Sequence, residues 1–397
     1  MDLASGCGSG EPCPGVFFPA KPLMNLTSRL PTTSTNETLR NRVAEVCGLI
    51  AAEARPRPVI VVFGLGSYGD VIQITPLLHA LHGRFPQAAL ILVHHDALGA
   101  KLVESAPYLA KFIRLRSSAH YLLRSSLEET SCDLLVECRY VIKYTLSTGS
   151  RFSPADLHFV REAQEVQKPW LKFVQNFPFD NDLLWRQAKT KGWSMYDLMA
   201  HTAGFPDEDF ECLRVHLPPG RSGLADLSLP PRYVVVSNSA EWLSLQSSLW
   251  TKSLPHARMK EVLRELQARA IPTVLLGTAN DPGLYPVDHD LRGRTHLLEA
   301  ADIVRQARAV LGPEGGLVNL ARAVGTPSVV FFGSTPVDFF RFKNNVNIAP
   351  RFCGGCWWTT ESYLRQCPLL EKTPPCTDSL DIGEIVRHVE RLYRSET

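Results

Sequence analysis

Residues 309–333, AVLGPEGGLVNLARAVGTPSVVFFG, set the architecture of the chain. An apolar strand end (Ala309–Leu311) leads into a tight turn, Gly312-Pro313-Glu314-Gly315-Gly316. The pattern predicts a helix over Leu317–Val324 and a buried strand over Ser328–Phe332. In an open α/β sheet, ligands bind where loops leave the carboxyl ends of strands. A helix N-terminus at such a place favours an anion, and two glycines permit a backbone approach that side chains would block. Glu314 repels phosphate, so a hydroxyl-rich sugar is its better partner. An ordinary turn with Glu314 capping the helix is the plainer alternative, and at this point it stays open.

The same alternation recurs outward from this stretch. Residues 1–33 are rich in Gly, Pro, Ser and Thr and read as an extended lead-in. Ser34 and Glu37 form a capping box for a helix running to about Glu53. Val59–Phe63 is a buried strand, followed by the turn Gly64-Leu65-Gly66-Ser67-Tyr68-Gly69-Asp70 and a helix closing near Gly83. Ala88–Val93 is the next strand, which makes a βαβ unit and so a parallel sheet. Further strands are expected at Phe112–Leu115 and Leu134–Cys138. Residues 150–205 read as helical and aromatic-rich, a layer covering the sheet in preference to an acceptor-facing insertion. Leu217-Pro218-Pro219-Gly220 and Leu229-Pro230-Pro231 bracket a boundary. Beyond it come strands at Tyr233–Val236 and Thr273–Leu276 and helices at Ala257–Arg269 and Leu297–Arg308. Two consecutive α/β domains across a Pro-rich hinge suggest twin Rossmann-like lobes facing a cleft.

Composition narrows the class. A chain of 397 residues favours two domains of about 150–200 residues. Hydrophobic content of 45% with 21% charge is that of a globular protein, and a net charge of +2 gives no signal for nucleic acid or an acidic membrane. No apolar run reaches the ~20 residues of a transmembrane helix, and no basic-then-apolar leader opens the chain. A cytoplasmic protein is expected. The twelve histidines show no metal-ligating spacing.

Two glycine-rich turns compete for the chemistry. Gly64-x-Gly66-x-x-Gly69 follows a strand, opens a helix, and precedes Asp96 at the end of the next strand, which are the parts of a dinucleotide fingerprint. A nicotinamide-dependent oxidoreductase is therefore one reading. Asp70 at the helix start would repel the pyrophosphate, and Asp96 falls later than the usual ~20 residues after the motif. A carboxylate aimed into a cleft suits a general base beside a hydroxyl acceptor. A third reading is a non-catalytic binding module.

The run GLGSYGDVIQITPLLHALHGRFPQAAL resembles the N-terminal signature of the heptosyltransferases, glycosyltransferase family 9. TKSLPHARMKEVLRELQARAIPTVLLGTAND resembles the start of that family's second domain, and GPEGGLVNLARAVGTPSVVFFGST its acidic-x-Gly turn, Ala-rich helix and Phe-Gly-x-Thr sequence. Together they cover about 59–96 and 233–340. The resemblance implies a GT-B fold: α/β, two Rossmann-like domains facing a cleft. It implies an ADP-activated heptose or related sugar as donor, and inverting transfer. Asp70 takes the general-base position, with Gly66, Ser67, Tyr68 and Gly69 as the acceptor-side loop. Lys252 neutralises the donor diphosphate, Glu314 grips the donor sugar, and Gly315 and Gly316 lie under the diphosphate. Three residues depart from the family pattern: Glu314 stands where aspartate is common, Asn319 where histidine is common, and Leu254 replaces a tryptophan before Pro255. From their own positions, Ser334 and Thr335 could donate to phosphate, or cap a helix. Asp281, at a strand exit, could touch the nucleotide or serve a turn.

Ten cysteines occur, and four of them cluster: Cys353 and Cys356 in a Cys-x-x-Cys loop, then Cys367 and Cys376. A rigid turn brings two thiolates onto one ion, so a structural four-cysteine metal site is expected, with disulfides or free thiols as the alternative. Zinc is the usual occupant. The protein-modifying, autotransporter branch of the heptosyltransferases carries a comparable motif that binds iron, and this chain resembles that branch. The expected organisation is a lead-in and helix (1–55), an acceptor domain (56–222) and a donor domain (223–350). A metal loop (351–380) and a helix (381–397) follow, the helix packing back on the first domain. The acceptor is protein Ser/Thr or lipopolysaccharide core sugar, and a homo-oligomer is compatible with all of this.

Overall fold

The computed structural model describes residues 33–54, 57–64, 66–116, 123–124, 126–127, 132–175, 177–217, 227–238, 251–281 and 283–395. At 33–36 and 97 only the backbone is described. Residues 1–32 of the lead-in, the side chain of Ser34 in the capping box and Pro218-Pro219-Gly220 of the hinge fall outside these limits. Met1–Arg42 and Val43–Thr397 are separate compact units, and the first helix is α1 (Thr33–Ala54). All that follows concerns the second unit.

Its first sheet holds β1 (Val59–Gly64), β2 (Ala89–His94), β3 (Lys111–Arg114), β4 (Leu134–Arg139) and β5 (Val141–Leu146) in the order β3-β2-β1-β4-β5. Only β5 runs antiparallel, against β4. Every residue of β1, VIVVFG, is buried, as a central parallel strand covered on both faces requires. The helix expected to close near Gly83 is two helices, α2 (Tyr68–Gln73) and α3 (Thr75–Arg84). Pro76 lacks an N–H and stands in the first turn of α3, where none is needed, and the Thr75 hydroxyl donates to Ile72 O at 2.7 Å. The chain then continues through α4 (Ala97–Val103).

Strand β5 was not expected, because the turn into it has no Gly, Asn or Pro. Tyr140 alone makes that turn, at φ 66°, between the paired residues Arg139 and Val141. Helices α5 (Pro154–Gln167), α6 (Leu171–Gln175), α7 (Asn181–Lys189) and α8 (Met195–Thr202) cover this edge. Thr202 Oγ1 accepts from Ile142 N at 3.0 Å, and Gln167 Oε1 accepts from Tyr144 N at 3.0 Å. Side chains of the layer thus satisfy donors that an edge strand would otherwise leave bare. Residues 150–205 are the covering layer.

The second sheet comprises β6 (Val234–Val236), β7 (Thr273–Leu275), β8 (His289–Asp290), β9 (Ala309–Pro313), β10 (Ser328–Phe331) and β11 (Val346–Ile348), all parallel, in the order β11-β10-β9-β6-β7-β8. Helices α9 (His256–Ala268), α10 (Leu297–Gln306) and α11 (Gly316–Ala323) connect its strands, and the short α12 (Val337–Phe340) follows β10. After α13 (Pro375–Asp378), the chain ends in α14 (Ile382–Arg394). The expectation that this last helix packs back on the first domain is corrected. Ile382, Ile385, Val386 and Val389, spaced for one helical face, join Val234, Met259, Leu311 and Phe331 in the core of the second lobe. A face of the second sheet needed an apolar cover, and α14 supplies it.

Candidate active site

Each sheet ends its central strand in a glycine turn, and the two turns meet. At the first, Gly66 has φ 105°, and a Cβ there would lie 2.2 Å from Asp70 Oδ2. Only glycine lets the carboxylate fold back. Ser67 N donates to that oxygen at 2.6 Å and Ser67 Oγ at 3.2 Å, closing a capping box at the start of α2. Although the residue still reaches solvent, burial pushes the Asp70 carboxyl up to about 6; the Ser67 bonds and Lys252 pull it down, and Glu314 pushes it further up.

At the second turn, Lys252 Nζ and Glu314 Oε2 form an ion pair at 2.5 Å, their side chains 12% and 10% exposed. Glu314 is therefore paired with a lysine from a distant loop. A Cβ on Gly69 would stand 2.8 Å from the Gly316 Cα, and one on Gly316 would stand 2.6 Å from the Tyr68 ring. Asn319, on α11, donates from Nδ2 to Gly69 O at 3.3 Å. Space remains open around Gly315, where a Cβ would meet nothing within 4 Å. Asp70, Lys252 and Glu314, separated by up to 244 positions in the chain, act on one another electrostatically.

The remaining candidates divide. Thr335 Oγ1 is buried without a hydrogen-bond partner among the described residues, a hydroxyl available to a ligand. Ser334 Oγ is instead bonded to Thr251 Oγ1 at 2.8 Å. Asp281 accepts from Thr278 N at 2.8 Å and from Thr278 Oγ1 at 2.7 Å, which builds the turn after β7. The dinucleotide fingerprint has other uses here: Asp96 caps α4 through Leu98 N at 2.7 Å, and Gly69 lies against Gly316.

Sequence reasoning missed Tyr140 and Tyr196. Burial, then Asp70, raises the Tyr140 hydroxyl well above its ordinary range; burial, then Glu314, does so for Tyr196. Both phenols therefore stay protonated. No periodicity or spacing marks either residue; only the folding of β4, β5 and α8 brings them in.

The four clustered cysteines lie beyond this site. None forms a disulfide; Cys367 and Cys376 are buried, Cys356 is intermediate and Cys353 exposed. Cys353, Gly354 and Gly355 take three successive positive φ values, 46°, 113° and 64°, reversing the chain so that it returns to Cys356. Burial raises the Cys376 thiol to about 12, with Cys353, Cys356 and Cys367 adding to the rise, so the four sulfurs share one neighbourhood. Among the described residues, no three ligating side chains stand close enough as placed to hold a metal ion.

Two mostly parallel α/β sheets that meet at their glycine turns make a GT-B-like fold. Residues 186–355, from within α7 to the cysteine loop, match the model of glycosyltransferase family 9 (heptosyltransferase). That match spans less than half of the chain and supports a glycosyltransferase domain there. No curated protein sequence matches it. Among solved structures, it is similar to the iron-containing dodecameric glycosyltransferase TibC from enterotoxigenic E. coli H10407, with 17% identity and TM-score 0.55, covering 86% of this chain and 77% of that one. Dodecameric iron-containing TibC in complex with ADP-D-β-D-heptose matches at 16% and 0.55 over the same shares. The E. coli ADP-heptose LPS heptosyltransferase II matches at 17% and 0.52, over 84% and 98%. These likenesses establish the fold.

Proposed function

We propose that this chain transfers a heptose from an ADP-activated donor to a hydroxyl acceptor with inversion. The observation that carries the reading is the meeting of Asp70 from the first lobe with the Lys252–Glu314 pair from the second. In this reading the second lobe holds the donor and the first the acceptor. The acceptor oxygen attacks the anomeric carbon as the bond to the diphosphate breaks; its proton passes to Asp70, and ADP leaves. A carboxyl held at about 6 is largely ionised at neutral pH and more basic than an ordinary aspartate. Lys252 turns from Glu314 to the diphosphate, offsetting charge on the leaving group, while Glu314 accepts from donor-sugar hydroxyls. Gly315 and Gly316 allow the phosphates close to the start of α11, and Thr335 donates its unpartnered hydroxyl. Because Tyr68 and Gly69 close on Gly316, donor entry requires these turns to part.

Cys353, Cys356, Cys367 and Cys376 are read as ligands of one structural iron or zinc ion. The metal would staple the loop, and four thiolates leave no position for substrate. TibC, described as iron-containing, supports iron; its dodecamer supports an oligomeric state, and the ADP-heptose complex supports the donor. Serine or threonine hydroxyls of a protein are favoured as acceptor over core sugar by the cysteine motif. No described helix is long and apolar enough to cross a membrane. In this reading the reaction takes place in the cytoplasm, where a nucleotide sugar is available.

Calorimetric titration with ADP, GDP, UDP and NAD in parallel tests the reading. Selective ADP binding that Lys252→Ala weakens is expected. Preferential binding of NAD, indifferent to Lys252, would overturn it.

A further inference from the structure

The loop that carries the cysteines does more than lie near the site: it holds the residue next to Lys252. Every polar atom of Thr251, which is 1% exposed, is bonded to residues between 333 and 376. Thr251 N donates to Leu364 O at 3.3 Å. Thr251 O accepts from Ser334 N at 3.1 Å and lies 3.9 Å from Cys376 Sγ. Thr251 Oγ1 lies 2.7 Å from Tyr363 O and 2.8 Å from Ser334 Oγ. A hydroxyl has one proton, and a carbonyl can only accept, so Thr251 donates to Tyr363 O and accepts from the Ser334 hydroxyl. The fit leaves no slack at Gly333, where a Cβ would lie 2.1 Å from Thr251 O.

The far side of Lys252 is held as well. Asn238 accepts from Leu254 N at 2.9 Å through Oδ1 and donates to Leu254 O at 2.9 Å through Nδ2. Lys252 thus projects from a four-residue segment pinned at both ends, by its own lobe at Leu254 and by the cysteine loop at Thr251. Tyr363 and Leu364 lie between Cys356 and Cys367, so whatever fixes those cysteines fixes the carbonyls that grip Thr251.

We propose that Thr251 is a positioning residue for Lys252, and that the cysteine loop acts on donor binding through it. The proposal rests on the reading of Lys252 as the diphosphate-binding group. A lysine side chain has four rotatable bonds, and its placement is set by where its backbone is anchored. Releasing Thr251 leaves the ammonium in place chemically but not geometrically.

Calorimetry with ADP on the full chain, with melting temperature measured alongside, tests this in Thr251→Val, Thr251→Ser and Lys252→Ala. Thr251→Val keeps the shape and removes the hydroxyl; it should weaken ADP binding about tenfold, a loss of about 1.4 kcal/mol. Thr251→Ser keeps the hydroxyl and should bind within about twofold of wild type. In a Lys252→Ala background, Thr251→Val should add no further loss, since its effect passes through the lysine. Ser334→Ala, a milder change, should weaken binding in the same direction and also add nothing to Lys252→Ala; it decides the matter if Thr251→Val does not fold. Wild-type affinity in Thr251→Val, or full additivity with Lys252→Ala, overturns the positioning role while leaving the donor site in place. An unchanged affinity in Lys252→Ala itself would remove both.

Discussion

Asp70 makes a demand on the fold that its chemistry explains. With its carboxyl at about 6 in the folded state against an ordinary value of 3.8, the native state binds more protons than the unfolded chain between those values. Stability contributed by this group therefore falls as pH rises through that window, by about 3 kcal/mol in all. Asp70→Asn should raise thermal stability at pH 7.5 relative to wild type, with the difference gone below about pH 4. The same substitution should cut kcat by about 10²–10⁴-fold while ADP affinity stays near wild type. In the wild type, kcat/KM should decline as pH drops below about 6. A variant that melts lower at neutral pH would show that the Ser67 capping bonds, and not burial, dominate at this residue. Lys252 and Glu314 invite a paired test. Removing one partner leaves a nearly buried charge, which costs about 3–5 kcal/mol. Lys252→Ala should lose both melting temperature and ADP binding, whereas Lys252→Ala with Glu314→Gln should recover the melting temperature only. Recovery of both would take the lysine out of donor binding.

At the scale of elements, two helix starts, α2 and α11, touch in the site. Gly69 and Gly316 are glycines because their helices touch there: a methyl on Gly69 would meet Gly316 backbone at 2.8 Å. Gly69→Ala should destabilise by about 1–3 kcal/mol, the range for overpacking a filled contact, and lower kcat by displacing Asp70 in the next position. Equilibrium unfolding and steady-state kinetics check the two halves. Loss of activity without loss of stability would show that the turn gives way and the helices do not need the contact. The cysteine loop is an element of the same kind. Its Trp357, 2% exposed, packs against Tyr140 of the first lobe and against Phe339 and Phe340 of the second. On the adjoining surface, Trp185 donates to Asp338 Oδ1 at 2.9 Å.

Across the whole molecule, one apolar core runs from Val62, Leu77 and Val136 of the first lobe to Val318, Val330 and Phe332 of the second. Lobes sharing a core are not free to swing apart by large angles, so on the proposed function substrate would enter by a local parting at the glycine turns. The cysteine loop spans the same junction, so its integrity belongs to the stability of the pair. Replacing Cys353 and Cys356 by Ser should lower melting temperature and metal content together, read by calorimetry and elemental analysis. A wild-type protein that carries no metal would end the metal assignment.

Much of this was legible in the chain itself. Continuous β-branched runs, helical periodicity and turn glycines predict both sheets, because those signals are local and the sheets are mostly parallel and buried. Asp70 and Glu314 stood out as acids inside glycine turns, a combination that phosphate chemistry disfavours. Three features needed the tertiary structure. Strand β5 was hidden because Tyr140 makes a turn no propensity assigns to tyrosine. The side of the fold that receives α14 was hidden because an amphipathic face says that it must be covered, not by which lobe. The Lys252–Glu314 pair and the grip of the cysteine loop on Thr251 were hidden because they join segments 62 and up to 125 positions apart. Local sequence determined most of the elements; which side chains meet was decided only when the two glycine turns were folded onto each other.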